Sequence, residues 1–463
     1  MTYKMSRTAQ KQLTELKNSK CSAETFEVIK KLITDGNDFD CYKINVFRVA
    51  EQSGISRAEA IKGFLYAARL GIMDLNWDIH CPSCKGIPVF HKHLMGLQQK
   101  AHCALCEIDW QLDFSDQVEV TFTVNPNIRQ IDYKCWSELD FQGKMQFLDA
   151  ILEREKRRFT VGCCIYGGKI TKAAGDFLPG EYIFHLPSFL ENSGTITVLD
   201  ELSPSVQKVS LTFNKRSEPS QKNLILKQGR VEFSVKAEFE GMNGFLILPR
   251  KPVHNFVSAS YITGLQDFKD LFAGEFLRED VSFAVKSITL MFTDIKGSTA
   301  MYERLGDSAA YSLVQKHFDV MTEIIKEYNG GIVKTIGDAV MASFSVNAEA
   351  VAAALKIQKE FWRLNQENKL QDIEVKIGLH RGPAITVTSN RSLDFFGRTV
   401  NIAARVQSKS SEHEILISGA VYEDEAIRAL LKRQKCKIKH RDEELKGIAE
   451  HFRVYSVQQE KSA

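Results

Sequence analysis

Asp294 closes the run I-T-L-M-F-T-D at residues 288 to 294, followed by I-K-G-S-T, and Asp338 lies in K-T-I-G-D-A-V-M-A at residues 334 to 342. Carboxylate oxygens are hard donors suited to Mg²⁺ or Mn²⁺, and a helix opening just past Asp294 would turn unpaired backbone N–H groups toward phosphate. The two acids are 44 residues apart (338 − 294). If folding brings them together beside such a helix, they can hold a pair of divalent ions on a polyphosphate. A nucleoside triphosphate is the substrate class this pattern suits. Taken singly, Asp294 reads more readily as a helix-start acid and Asp338 as a turn former.

Ile288, Leu290 and Phe292 alternate with Thr289, Met291 and Thr293, which predicts a strand delivering Asp294 at its end. Lys296, Gly297, Ser298 and Thr299 then open the helix, with Ser298 or Thr299 expected as its cap. After Gly330-Gly331, the runs around Ile336-Gly337-Asp338-Ala339 predict a tight hairpin with Asp338 at its tip. Between these motifs, Ala310, Leu313, Val314, Phe318, Met321, Ile325 and Tyr328 share one helical face, and His317 reads there as a packed residue. Ala350 to Leu364 predicts a second helix, and E-V-K-I-G-L and E-I-L-I-S predict further strands.

With K-I-G-L-H-R-G and D-F-F-G-R-T-V-N-I-A-A-R added, residues from about 285 to 457 resemble the class III nucleotide cyclase catalytic domain. The resemblance implies a ferredoxin-like α/β fold working as a head-to-tail dimer, making a 3′,5′-cyclic nucleotide and pyrophosphate. It implies metal binding by Asp294, Asp338 and the carbonyl of Ile295, with two Mg²⁺ or Mn²⁺ ions per site. It assigns base reading to Lys334 and Asp394. An ammonium and a carboxylate complement adenine N1 and its 6-amino group, whereas guanine presents the opposite polarity, so ATP is the expected substrate. Asn401 and Arg405 match the ribose-orienting asparagine and the transition-state arginine. They stand four apart, on one helical face. Lys376 matches a position that contacts the γ-phosphate. The usual phosphate-binding lysine falls at Ile448, leaving Lys446 as the nearest candidate. Because such sites are shared between partners, a two-fold homodimer completes two equivalent sites.

The chain has 463 residues, 44% hydrophobic and 26% charged, with a net charge of +3. That composition suits a globular protein and supplies no electrostatic case for nucleic acid or membrane. No apolar run is long enough for a transmembrane segment, and the amino terminus lacks a signal-peptide core, so a cytoplasmic location is expected. Cys81, Cys84, Cys103 and Cys106 form C-x₂-C-x₁₈-C-x₂-C, the spacing of a zinc ribbon holding structural Zn²⁺.

The fold class expected is multidomain α+β. Residues 1–78 read as a helical, winged-helix-like unit with a Ser56/Glu59 capping box, and residues 79–114 as the zinc ribbon. Residues 115–252 read as a β-rich, sandwich-like module: Val118, Val120, Phe122 and Val124 alternate, as do Val231, Phe233 and Val235. Residues 253–284 read as a helical transmitter, with Leu265, Phe268, Leu271 and Phe272 on one face, and residues 285–463 as the cyclase domain. The front half resembles an uncharacterised region found ahead of some bacterial cyclase domains, which implies regulation by an unknown ligand or protein. No basic stripe accompanies the helical unit, which argues against nucleic acid. The alternatives are a guanylate cyclase and a catalytically weak nucleotide-binding or interaction protein.

Overall fold

The computed structural model describes residues 5–83, 86–103, 108–131, 160–186, 189–214, 219–250, 255–368, 374–411, 414–445, 448 and 452–459. Phe283–Ile295 runs through the interior of an eight-stranded sheet, antiparallel to Ala339–Phe344 on one side and Val375–Ser389 on the other. Gly331–Ile336 is the outermost strand beyond Ala339–Phe344. In the other direction follow Ile415–Ser418, Phe452–Gln459 and Cys436–Glu443, while Ser392–Phe396 folds back on the far end of Val375–Ser389.

The central strand is apolar on both faces, not amphipathic. Met291 and Ile295 join a core with the helices Asp307–Glu327 and Asn347–Asn368, whereas Leu290 and Phe292 join a second core on the opposite face. The interleaved threonines are buried and bonded: Thr289 donates to Asn347 Oδ1 at 3.2 Å, and Thr293 to Met321 Sδ at 3.6 Å. Burial on both sides leaves the strand little freedom to shift register. His317 is a packing residue, stacked on Phe361 with ring centroids 5.0 Å apart, its Nδ1–H donated to the Leu313 carbonyl. Burial pushes its pKa down.

At the amino terminus, helices Arg7–Lys17, Ala23–Asp35, Val46–Ser53 and Arg57–Arg69 pack beside a three-stranded sheet. Ser56 caps the last helix through the Glu59 N–H at 3.2 Å. Val118–Val124, expected to open the β-rich module, instead pairs along its whole length with Met73–Ile79 in this first sheet. Its alternation is incomplete because the polar members are buried too. Glu119 accepts from Asn45 and pairs with His80 at 2.6 Å, while Thr121 donates to Asp78, which also meets Lys43. Partnered in this way, those groups can stay inside.

The β-rich region that follows has its own core, built around Asn223–Glu238. One half of that strand pairs parallel to Phe189–Leu202, and the other lies between Gln207–Asn214 and Ile170–Phe177. The change of partners falls at Gly229, whose φ of +130° a side chain would resist. In place of the sandwich-like expectation stands a seven-stranded sheet in which one long strand changes partners midway.

The transmitter differs from its predicted form. In place of one continuous helical face through Leu265, Phe268, Leu271 and Phe272 there are two short helices, Ala259–Gly264 and Gln266–Leu271, interrupted by extended Leu265. The break lets both halves bury apolar residues: Phe268 stacks on Phe272 and meets Trp77 edge-on at 5.9 Å. Nearby, Phe114 stacks on Phe283 at 5.1 Å, and the Phe114 N–H donates to the Ala284 carbonyl at 3.2 Å. Lys286 adds ion pairs with Asp113 and Asp116. One hydrophobic core therefore runs from the amino-terminal helices into the open face of the large sheet. Phe268→Ala should cost about 3–5 kcal/mol and speed amide exchange at Phe283 to Val285 as well as in the linker. Unchanged exchange in that strand would mean that the linker and the strand do not open together.

Candidate active site

Asp294 leaves the central strand one residue before its end, and the register places Lys376 directly opposite. Chain reversal then falls to Gly297, the helix cap, at φ +68° in the left-handed region. Ser298 and Thr299 were expected at the cap; they instead open the helix Ser298–Leu305. Glycine adopts this conformation at the least steric cost. Lys296 stands outside the turn, 3.2 Å from Glu374.

The hairpin Gly331–Ile336/Ala339–Phe344 closes through Gly337 and Asp338, with Gly337 at φ +64°. Asp338 thus stands at the tip, close enough to Asp294 for mutual repulsion. Burial first, and Asp338 second, push the Asp294 pKa above the usual carboxylate range, with Lys376 and Gln407 opposing the shift. Asp338 Oδ2 is buried and finds no hydrogen-bond partner among the described residues. Two neighbouring acids, one carrying an orphaned oxygen, fit a divalent cation better than any protein donor nearby. Asp294, Asp338 and the backbone carbonyl of Ile295 are the groups that would hold it. Among the described residues no cluster of three or more His, Cys, Asp or Glu side chains forms a metal site, so further ligands would have to be backbone, water or phosphate oxygens.

A second pair joins the hairpin strand Gly331–Ile336 to Ser392–Phe396. Lys334 Nζ donates to Asp394 Oδ2 at 2.7 Å; the lysine side chain is 39% exposed and the aspartate 9%. Asp394 Oδ1 accepts the Phe395 N–H at 2.8 Å, fixing the carboxylate. The helix Arg398–Ser408 carries Asn401 exposed and Arg405 half-buried. Its C-terminus is tied down by Arg441, which donates to the Lys409 carbonyl at 2.9 Å and to buried Glu414 at 2.7 Å.

Gln407, absent from the sequence reading, stands beside Asp294 and favours its anion, although its buried Nε2 completes no well-formed hydrogen bond. The available signal was Gly378 in the middle of a strand: a Cβ there would lie 2.2 Å from the Gln407 backbone nitrogen. A strand glycine marks close backbone approach. Ile448 packs with Leu445, Ile402 and Val454 in a small core, and Lys446 lies outside the described residues.

Residues 282–459 match the family described as the adenylate and guanylate cyclase catalytic domain. That segment is similar to nucleotide cyclase catalytic domains. Residues 5–148 match a family of unknown function. An adenylate cyclase of Anabaena cylindrica is 31% identical over 35% of this chain and 36% of its own length. Adenylate cyclase 1 of Rhizobium meliloti is 27% identical over 29% of this chain and 23% of its own. The chain therefore spans about a third or less of these relatives' lengths. The adenylyl cyclase CyaB from P. aeruginosa is 25% identical, with 39% of this chain and 97% of that one covered, at a TM-score of 0.35. No helix among the described residues is long and apolar enough to cross a membrane.

Of the four ribbon cysteines, Cys81 and Cys103 are buried in one small cluster with Ile108 and Trp110, while Cys84 and Cys106 lie outside the described residues.

The raised Asp294 pKa has a consequence for the cyclase-type domain without metal. A carboxyl that holds its proton more tightly when folded stabilises the fold below the unfolded pKa, and that contribution is lost as pH rises through the folded value. Asp338→Asn removes one cause of the shift. In chelator at pH 7 it should raise Tm by roughly 1–3 °C, and the gain should vanish near pH ~4. Mn²⁺ should raise Tm of the parent and much less that of the variant. Thermal melts across pH, with and without Mn²⁺, provide the check.

Proposed function

We propose that the protein is a cytoplasmic, homodimeric adenylate cyclase that converts ATP to 3′,5′-cyclic AMP and pyrophosphate under control of its amino-terminal half. The observation that carries this reading is that one chain presents two different half-sites. Asp294 and Asp338 form an acidic pair poised for cations, and Lys334 with Asp394 forms a preorganised donor–acceptor pair. Around the second pair, Phe396, Ile385 and Ile336 are 51%, 46% and 54% exposed, and Ile385 and Phe396 are register partners. Apolar side chains flanking a polar pair suit burial against a second copy.

In this reading, Lys334 donates to adenine N1 and Asp394 accepts from the 6-amino group. Guanine offers a donor and an acceptor in those places, which leaves both residues mismatched and favours ATP. Mg²⁺ or Mn²⁺ held by Asp294, Asp338 and the Ile295 carbonyl would supply Lewis acidity at the 3′-oxygen and charge neutralisation along the triphosphate. Asn401 orients the ribose so that its 3′-oxygen faces the α-phosphorus. Arg405 meets negative charge that grows on the α-phosphoryl oxygens. The new bond joins the 3′-oxygen to the α-phosphorus, the bond to the bridging oxygen of the β-phosphate breaks, and the hydroxyl proton passes to solvent. In this reading Lys376 and the N–H groups of the helix opening at Ser298, with Lys296 and Thr299, bind the departing pyrophosphate, and Lys446 is a further candidate. Purified protein with Mn²⁺ and ATP should form cyclic AMP. Asp294→Ala should abolish it and Arg405→Ala should lower kcat by about 10²- to 10³-fold. In this reading Arg405 acts together with the base-reading half-site, so mixing these variants should restore activity, and failure to do so would remove the shared-site reading.

Burial of Cys81 beside Cys103 supports a structural Zn²⁺ completed by Cys84 and Cys106. Elemental analysis should find about one zinc per chain, and a stable metal-free protein would overturn the assignment.

A further inference from the structure

The linker helix Gln266–Leu271 lies along Gly331–Ile336, the outermost strand of the large sheet. An edge strand leaves N–H and C=O groups without a ladder partner. Here the linker supplies the partners. Gln266 N–H donates to the Gly330 carbonyl at 3.1 Å, and its side-chain Oε1 accepts the Ile332 N–H at 2.8 Å. Lys269 Nζ donates to the Ile332 carbonyl at 2.7 Å. Both backbone groups of Ile332 are therefore held by side chains of one short helix.

Directly after Ile332 the pairing slips. Ile332 lies opposite Ala342, but Lys334 lies opposite Met341, so Val333 is the extra residue of a bulge. A bulge re-aims the side chain that follows it. The residue re-aimed here is Lys334, whose ammonium reaches Asp394. Lys269 is also within the field of Asp394, ahead of its sequence neighbour Asp270, and burial lowers its own pKa to about 8. Asp270 and Asp267 are instead paired by Lys326, at 3.1 and 2.9 Å.

We propose that Gln266 and Lys269 are positioning residues for base selection: they pin the bulge that aims Lys334 at Asp394. The proposal rests on the reading of Lys334 and Asp394 as the base-recognition pair. With the bulge fixed, the lysine presents its ammonium at one spacing from the carboxylate, matched to adenine. A helix that only tethered the sheet edge would affect stability or turnover for both nucleotides alike. A positioning role acts on the choice between them.

The test uses the full chain with Mn²⁺, comparing kcat and KM for ATP and GTP in the parent, Lys269→Met, Lys269→Arg, Gln266→Ala and Asp394→Ala. Lys269→Met should raise KM for ATP about tenfold, leave kcat within about twofold, and lower the ATP-to-GTP ratio of kcat/KM about tenfold, the scale of one charge-assisted contact. Lys269→Arg should restore most of the ratio, and Gln266→Ala should move it the same way by less. If Lys269→Met does not fold, the same ratio in Lys269→Arg and Gln266→Ala decides, because a loss of folded protein changes both nucleotides equally. An unchanged ratio in Lys269→Met and Gln266→Ala, with a collapsed ratio in Asp394→Ala, would overturn the proposal and leave the base reading standing. An unchanged ratio in Asp394→Ala would overturn both.

Discussion

Two carboxylates that repel each other in a partly buried place stay together only if the backbone carrying them cannot relax. Asp294 and Asp338 meet that condition from different directions. Asp294 rides on a strand with apolar side chains packed against both faces, and Asp338 sits on a two-residue turn whose second flanking strand, Ala339–Phe344, is paired to that same strand. Moving either acid away would require shifting a register that buries Leu290, Met291 and Phe292 together. The repulsion is thus offset by the hydrophobic cores above and below the sheet, which is how a fold stores an unfavourable charge arrangement for later use by a cation.

The second half-site follows a different design. Lys334 and Asp394 attract one another, and no strain holds them. Their order comes from the strand edge: the bulge at Val333, the Phe395 N–H on the carboxylate, and the linker helix that occupies the Ile332 peptide groups. One chain therefore contains an acidic pair held by packing and a mixed-charge pair held by hydrogen bonds.

What could be read from the sequence follows from how local the determining physics is. The strand before Asp294, the hairpin around Gly337 and the helices 307–327 and 347–368 depend on short-range pattern and turn chemistry, and each was legible. The helix cap was misread because hydroxyl residues favour caps in general, whereas this turn needs a positive φ that Gly297 alone supplies. Val118–Val124 was assigned to the wrong neighbours because alternation gives a strand's periodicity and not its partners. Its buried Glu119 and Thr121 find His80, Asn45 and Asp78 only in the folded chain. The linker was read as one helix because its apolar spacing is helical throughout, and the break at Leu265 is imposed by packing on both sides. Gln266, Lys269 and Gln407 carry no motif, and their relevance lies in what they touch across the fold.

The stacking of Phe114 on Phe283, with the backbone link from Phe114 to Ala284, bears on how such a protein can be taken apart. A boundary drawn just ahead of the cyclase-type domain passes through packed aromatic rings, not through a solvated tether. A fragment cut there would carry an open seam of apolar side chains along its first strand, prone to pair with whatever surface it met. The two regions are grown into one another like grafted wood. Exchanging the front half for an unrelated sensor would require refitting that seam residue by residue.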